Sequence, residues 1–165
     1  MGAWGYKALD SDEGLDVVDF ISDYISSKYP GTKKVDLKLA ELIDLMKENE
    51  FLSESYDEID FYYDNSAMAL AELYFMFQQT GQLDYDYEED ESRSLRKRIQ
   101  SFTGDESSFK FLFKSLMDIK NEVPDQDEER EIVELWKESK SYDKWKDNLE
   151  TLIEGLNLEI MRSND

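Results

Sequence analysis

Apolar residues recur along this chain at intervals of three and four, the spacing that lines one face of an α-helix. The first such stripe consists of Leu15, Val18, Ile21 and Ile25. Asp10 or Ser11 precedes this stripe as a candidate N-cap, and the turn Tyr29-Pro30-Gly31 follows it. The pattern therefore predicts a first helix between these two signals.

Further stripes predict helices along the rest of the chain. A second helix is expected from about Asp36 to Glu50, and a long third helix from about Ser55 to Thr80, ended by Gly81. The stretch SAMALAELYFMF carries a single charge, so we expect this third helix to form the buried centre. The remaining helices are predicted within RSLRKRIQSF, DESSFKFLFKSLMDIKNEV, DEEREIVELWKES and SYDKWKDNLETLIEGLNLEI.

The small number of glycine and proline residues supports a helical fold. Only 7 Gly and 2 Pro occur, too few for a many-stranded β protein with a turn about every ten residues. A length of 165 residues fits one domain over residues 1–165. We predict an all-α, single-domain bundle of about six or seven helices with a long central helix.

Two residue types are missing, and this excludes several kinds of site. The chain has no Cys and no His, which removes disulfides, thiolate nucleophiles, cysteine zinc sites and catalysis by an imidazole base.

Carboxylates in E-x-x-E and E-x-x-D spacings, as in all-α nucleotide pyrophosphatases, are the remaining route to catalysis. The candidate pairs for Mg²⁺ are Glu54/Asp57, Asp57/Asp60 and Glu131/Glu134. A metal-dependent hydrolase of a small phosphorylated substrate is the alternative function. No catalytic residue, metal ligand or cofactor is assigned, and the balance is against an enzyme.

The hydropathy pattern indicates where in the cell the protein is expected. No apolar run approaches the length of a membrane span, and no basic start followed by an apolar segment marks a signal peptide. The sequence therefore predicts a cytoplasmic protein that does not engage a membrane.

The two ends of the chain carry a family resemblance. The start, MGAWGYKALDSDEGLD, resembles a family of small bacterial domains of unknown function that begin M-G-x-W-G-x-x-x-F/L-x-x-D-x-x-x-D. The matching positions are Gly2, Trp4, Gly5, Leu9, Asp12 and Asp16. The stretch ELWKESKSYDKWKDNLETL is similar to the closing pattern of that family, at Leu135, Trp136, Glu138, Ser139, Trp145 and Leu149. The resemblance implies a fold and no activity.

The opening motif has a structural interpretation. A Trp4 ring flanked by Gly2 and Gly5 is expected to be buried, with the glycines supplying positive φ where the chain turns around it. Asp12 and Asp16 would then lie against the positive end of the first helix. We expect this segment to dock the N-terminus onto the bundle.

The charge is unevenly distributed. The chain has 40 acidic and 19 basic residues, a net charge of -21, and no base lies between Lys47 and Arg93. Within that gap Asp57, Asp60 and Asp64 have the spacing of one helix face, and tyrosines are interleaved. The candidate partner-binding residues are Asp57, Asp60, Asp64, Tyr85, Asp86, Tyr87 and Glu88.

An acidic surface that carries tyrosines suits a non-catalytic module that binds a basic protein. Complementary charge accelerates encounter, and tyrosine supplies contact area with a polar tip. Immunity proteins and mimics of nucleic acid are built this way, so a neutralising role is the expectation. The same acids also fit a solvated surface that keeps the protein soluble. Direct nucleic-acid binding is disfavoured, because the one basic cluster abuts an acidic run, and a homo-oligomer stays open.

Overall fold

Local signals in the sequence set the ends of the main helices. In the computed structural model, which describes residues 3–53, 60–87, 89–122 and 130–163, Ser11 Oγ accepts a hydrogen bond from Gly14 N at 3.0 Å and starts the first helix. Asp60 likewise accepts from Tyr62 N at 2.7 Å and starts the central helix. Gly81, at φ 77°, ends that helix in the left-handed conformation that glycine adopts without a steric penalty.

The described residues contain seven helices, and the expectation of an all-α fold is confirmed. They are α1 (Asp12–Lys28), α2 (Leu39–Glu48), α3 (Phe61–Thr80), α4 (Leu95–Arg98), α5 (Glu106–Lys120), α6 (Glu131–Lys137) and α7 (Tyr142–Ser163). Short 3₁₀ turns lie at Ala8–Asp10 and Glu91–Arg93, and two strands, β1 (Val35–Lys38) and β2 (Ile99–Thr103), stand between helices.

Helix α3 is the centre of the fold, as its small-residue-rich and nearly uncharged sequence predicts. Every residue from 64 to 74 is buried. Helices α1, α5, α6 and α7 all contact α3, and α5 packs along α7. The apolar side chains that these helices direct inward form one continuous core, so α3 fixes the positions of the helices that carry the surface features described below.

The two strands correct the sequence-based expectation of helix at both places. Residues 35–38 pair in parallel with residues 99–103, with Val35 opposite Ile99 and Leu37 opposite Phe102. The predicted second helix therefore begins at Leu39, and the predicted helix in RSLRKRIQSF is only the four residues of α4. Each strand has only four or five residues and its partner lies far away along the chain, so the short alternation in VDLK was not enough to identify a strand.

A fully buried arginine ties α4 to the end of α1. The Arg98 side chain is 0% exposed and donates to four backbone oxygens: Tyr29 at 2.6 Å, Ser92 at 2.7 Å, Lys33 at 3.0 Å and Ile25 at 3.4 Å. Ile25 and Tyr29 lie at the C-terminal end of α1, where carbonyls carry partial negative charge, so these hydrogen bonds stabilise the cation. In the sequence Arg98 belongs to the basic cluster Arg93, Arg96, Lys97 and Arg98, and the structure makes it part of the core.

Candidate functional site

Helix α1 presents a row of aspartates to solvent. Asp12, Asp16, Asp19 and Asp23 are all exposed, and their spacing of four, three and four residues puts them on one side of the helix. At 1.5 Å per residue the row extends for about 16 Å. These four residues and Asp60 are called the acidic face below. The opposite side of α1 packs against α3, so the helix is held with its aspartate side facing outward.

The start of α3 adjoins the acidic face. The Phe51 ring contacts Phe20 of α1 at a centroid distance of 4.8 Å and Tyr62 of α3 at 5.5 Å. Asp60, two residues before Tyr62, is exposed and caps α3. Burial, followed by the negative charges of Asp16 and Glu13 on α1, raises the pKa of Tyr62 to about 12. A half-buried tyrosine therefore lies among the carboxylates, as the sequence predicts, although Tyr62 is not among the predicted site residues.

One cation reaches the far end of the acidic face. The Tyr87 hydroxyl donates to Asp19, and the Arg93 guanidinium lies over the Tyr87 ring, 4.6 Å from its centroid. Arg93 also pairs with Asp23, with 2.9 Å between nitrogen and oxygen. The C-terminal half of the row is therefore partly neutralised within the protein.

The N-terminal half of the row has no such compensation. In the described ranges no Lys or Arg forms an ion pair with Asp12 or Asp16. Burial, together with the like charges of Asp19, Glu13 and Asp12, raises the pKa of Asp16. This part of the surface carries repulsion that an opposite charge from outside would relieve.

The predicted face formed by Asp57, Asp60 and Asp64 is not present as such. Asp57 lies outside the described residues, and Asp60 precedes α3 rather than belonging to it. Asp64 is 6% exposed, so its assignment to a partner-binding surface is wrong. The helix begins at Phe61, so Asp60 and Asp64 do not lie in one helical stretch.

Asp64 is buried because a distant arginine pairs with it. Arg130 Nε donates to Asp64 Oδ2 at 2.7 Å, and a second guanidinium nitrogen donates to Oδ1 at 3.2 Å. Burial raises the pKa of Asp64 to about 6, although the hydrogen bonds and charge of Arg130 act to lower it. The pair joins α3 to the start of α6, which is a structural role.

The other predicted site residues near residue 85 face different ways. Tyr85 is half-buried against the core, and burial together with the charge of Glu72 raises its pKa to about 12. Asp86 is exposed, and a hydrogen bond from the Ser94 side chain, with the charge of Lys97, lowers its pKa. Of the predicted tyrosines, only Tyr87 reaches the acidic face. Glu88 lies outside the described residues.

The opening motif does not bury its tryptophan. Trp4 is 62% exposed, and only its backbone N–H is engaged, donating to Asp10 O at 2.9 Å. Gly5 does not have a positive φ. A Cβ added there would lie 2.8 Å from Asp10 Cγ, so close approach is what favours glycine at this position. Gly2 lies outside the described residues.

Sequence reasoning missed a buried carboxylate that holds the N-terminal segment. Glu72 in α3 is 7% exposed and accepts from Ala8 N at 2.8 Å, Leu9 N at 2.9 Å and Asn148 Nδ2 at 2.9 Å. Burial raises its pKa, while these three hydrogen bonds act to lower it. The signal was one acid within the apolar run ALAELYF. The aspartate row on α1 was also readable, from its spacing alone.

The carboxylate pairs that the sequence offers for Mg²⁺ are not assembled into a site in the described part of the chain. There, no group of three or more acidic side chains could hold a metal ion. Glu131 and Glu134 are exposed on α6, whereas Glu54 and Asp57 lie outside the described residues. In the same described ranges, no helix combines the length and apolarity needed to cross a bilayer.

Comparison with known proteins assigns the chain to a family. The family DUF4259, a domain of unknown function, matches residues 2–148, and the chain belongs to it. No curated protein and no solved structure matches the chain. The match ends within α7, which continues to Ser163.

Proposed function

We propose that this DUF4259 domain is a non-catalytic module that binds a basic protein through the acidic face. The observation that carries the proposal is the uncompensated half of the aspartate row, at Asp12 and Asp16. Their mutual repulsion costs the free protein stability and would be relieved by lysine or arginine side chains of a partner.

The geometry of the face supports an ordered partner interface. The aspartates are on a helix whose opposite side packs on α3, so their spacing is fixed before binding. Tyr62 and Tyr87 lie half-buried at its borders and offer aromatic contact area with polar tips. A row of fixed negative charges also resembles the phosphate backbone, to which nucleic-acid-binding proteins present lysine and arginine.

A toxic nuclease is one basic protein that such a face would neutralise, by covering the surface that binds nucleic acid. This narrower form of the proposal takes the chain to be bacterial, as the family resemblance implies, and cytoplasmic, as the sequence predicts. Neutralisation requires only that the module occupy the basic surface of the nuclease, which is consistent with a module that has no chemistry of its own.

The test is capture of the partner from lysate of the source cells by the tagged protein and by a face variant. The variant is Asp12→Asn, Asp16→Asn and Asp60→Asn, which removes three charges and keeps an N-cap residue before α3. We expect the wild type to capture a basic protein at about 0.1 M salt and to lose it at about 0.5 M, where screening is stronger. The variant should capture much less at the lower salt.

The control removes the same number of charges elsewhere. Its substitutions are at exposed acids on α2 and α7, namely Asp44→Asn, Asp143→Asn and Glu154→Gln. The control should retain the partner. Equal loss in both variants would show that net charge alone governs binding, and equal retention in both would show that the acidic face is not the interface.

A further inference from the structure

We propose that a groove lined by α3 and α7 is a binding site for a small amphipathic organic anion. The groove has a volume of about 820 Å³ and lies between the N-terminal segment, α3 and α7. This volume is within the usual range for small-molecule sites, which is roughly 300–1,000 Å³. The site is distinct from the acidic face and does not depend on the function proposed above.

The groove has a fixed floor. Glu72 lies at its base, and its carboxylate already accepts hydrogen bonds from Ala8 N, Leu9 N and Asn148 Nδ2. Its bonding capacity is therefore largely used within the protein, and it holds one wall, the segment before Asp10, against α3. A site whose walls are held by buried hydrogen bonds is preformed, which lowers the entropic cost of binding.

Apolar side chains form the walls. Phe75 and Met76 of α3, Leu152 of α7 and Leu9 of the N-terminal segment line the groove. Gly155 also lines the groove, and a Cβ added there would lie 2.7 Å from Phe75 Cζ. The absence of a side chain at Gly155 thus lets the Phe75 ring lie directly on α7. These walls suit an aromatic or branched apolar body.

The rim supplies the preference for an anion. Lys7 and Lys144 line the groove and are exposed, and neither forms an ion pair with any residue in the described ranges. Asp147 also lines it and opposes them with one negative charge. With the Glu72 carboxylate engaged at the floor, the accessible charge favours a single carboxylate or sulfonate on the ligand. Two lysines at one groove, neither of them in an ion pair within the described residues, stand out in a chain where acids outnumber bases 40 to 19.

The test uses two dyes with the same aromatic body. Anilinonaphthalene sulfonate carries an anionic group, and phenylnaphthylamine lacks it. Fluorescence titration of the native protein should show saturable binding of both dyes at one site, with the sulfonate bound more tightly. Near-UV circular dichroism, recorded at the end of each titration, confirms that the packed fold is retained, because the sulfonate dye also binds loosened states.

Three variants locate the site. Lys7→Gln with Lys144→Gln should weaken binding of the sulfonate dye by about tenfold and leave the neutral dye unchanged. The charge-matched control, Lys140→Gln with Lys146→Gln, should leave both dyes unchanged, because these exposed lysines do not line the groove. Thr151→Trp, which fills the groove from α7, should abolish binding of both dyes.

Other results would overturn the proposal. Absence of saturable binding by the native protein means that the groove takes no ligand of this class. Equal loss in the two lysine pairs assigns dye binding to general charge, and tighter binding of the neutral dye removes the anion preference. Binding that survives Thr151→Trp with a native near-UV spectrum places the dye elsewhere on the protein.

Discussion

Replacement of Asp64 by Asn should remove a specific part of the pH dependence of stability. Asp64 is buried against Arg130, and its pKa is raised from 3.8 to about 6, chiefly by burial. A folded-state pKa above the unfolded value means that the folded protein binds the proton more tightly. Asp64 therefore favours folding at low pH, and this contribution is lost as pH rises through about 6.

The size of the effect follows from the two pKa values. A difference of about two pH units corresponds to about 3 kcal/mol in total, at 1.36 kcal/mol per unit. The isoelectric point is about 4.2, so measurements near that pH risk precipitation. Between pH 5 and pH 8, linkage leaves about 1.4 kcal/mol of the change to be observed.

The assay is urea unfolding followed by far-UV circular dichroism at several pH values from 5 to 8. Many carboxylates titrate in a chain with 40 acids, so the informative quantity is the free energy of unfolding of the wild type minus that of Asp64→Asn. This difference should fall by about 1.4 kcal/mol as the pH rises. Ile21→Val, a fully buried change that titrates nothing, should lower stability by about 1 kcal/mol at every pH.

A difference that stays flat from pH 5 to pH 8 would refute this reasoning. A difference that rises with pH would reverse it, since the attraction of Arg130 would then outweigh the cost of burying the carboxylate. Either result would change the role assigned to the pair, from a contact maintained against a desolvation penalty to a net source of stability.

Three further substitutions follow from contacts in the structure, each checked by urea unfolding. Gly14→Ala should destabilise by about 3 kcal/mol or more despite the better helix propensity of alanine, because the new Cβ would lie 2.7 Å from Ala8 C; unchanged stability would show that α1 can shift. Arg98→Lys should cost about 3 kcal/mol, since one ammonium cannot reach all its carbonyl partners. Asp16→Asn should stabilise by up to about 0.5 kcal/mol at low salt and by less at high salt, and a loss at both would contradict the repulsion on the acidic face.

The helices were predictable because their signals are local. The N-cap at Ser11, the stop at Gly81 and the nearly uncharged centre of α3 can each be read within a few residues, and the structure confirms them. The β1–β2 pair was not predictable in this way. It joins two segments of four and five residues, and neither segment is stable as a strand without the other.

The acidic surface shows the same division between local and distant information. Spacing alone could have identified the aspartates from Asp12 to Asp23, because helix α1 itself was predictable. The fate of Asp64 depends on Arg130, which lies 66 positions further along the chain. No local pattern in the sequence distinguishes a carboxylate that is exposed to solvent from one that is buried in an ion pair with a distant arginine.

The way α1 is anchored explains why its charges can stay so close together. Gly14 allows the helix to approach the backbone of Ala8, and Ser11 at its start accepts a hydrogen bond from Asn65 of α3 at 3.2 Å. The Glu72 carboxylate accepts a hydrogen bond from the Ala8 backbone N–H and so holds this segment against α3. These contacts lie on the side of α1 away from the aspartates. Their packing therefore offsets the repulsion along the acidic face, and a partner bound to that face would leave them intact. A partner would therefore meet charges at fixed spacing, and that spacing, rather than the net charge of -21, would determine which basic surface fits.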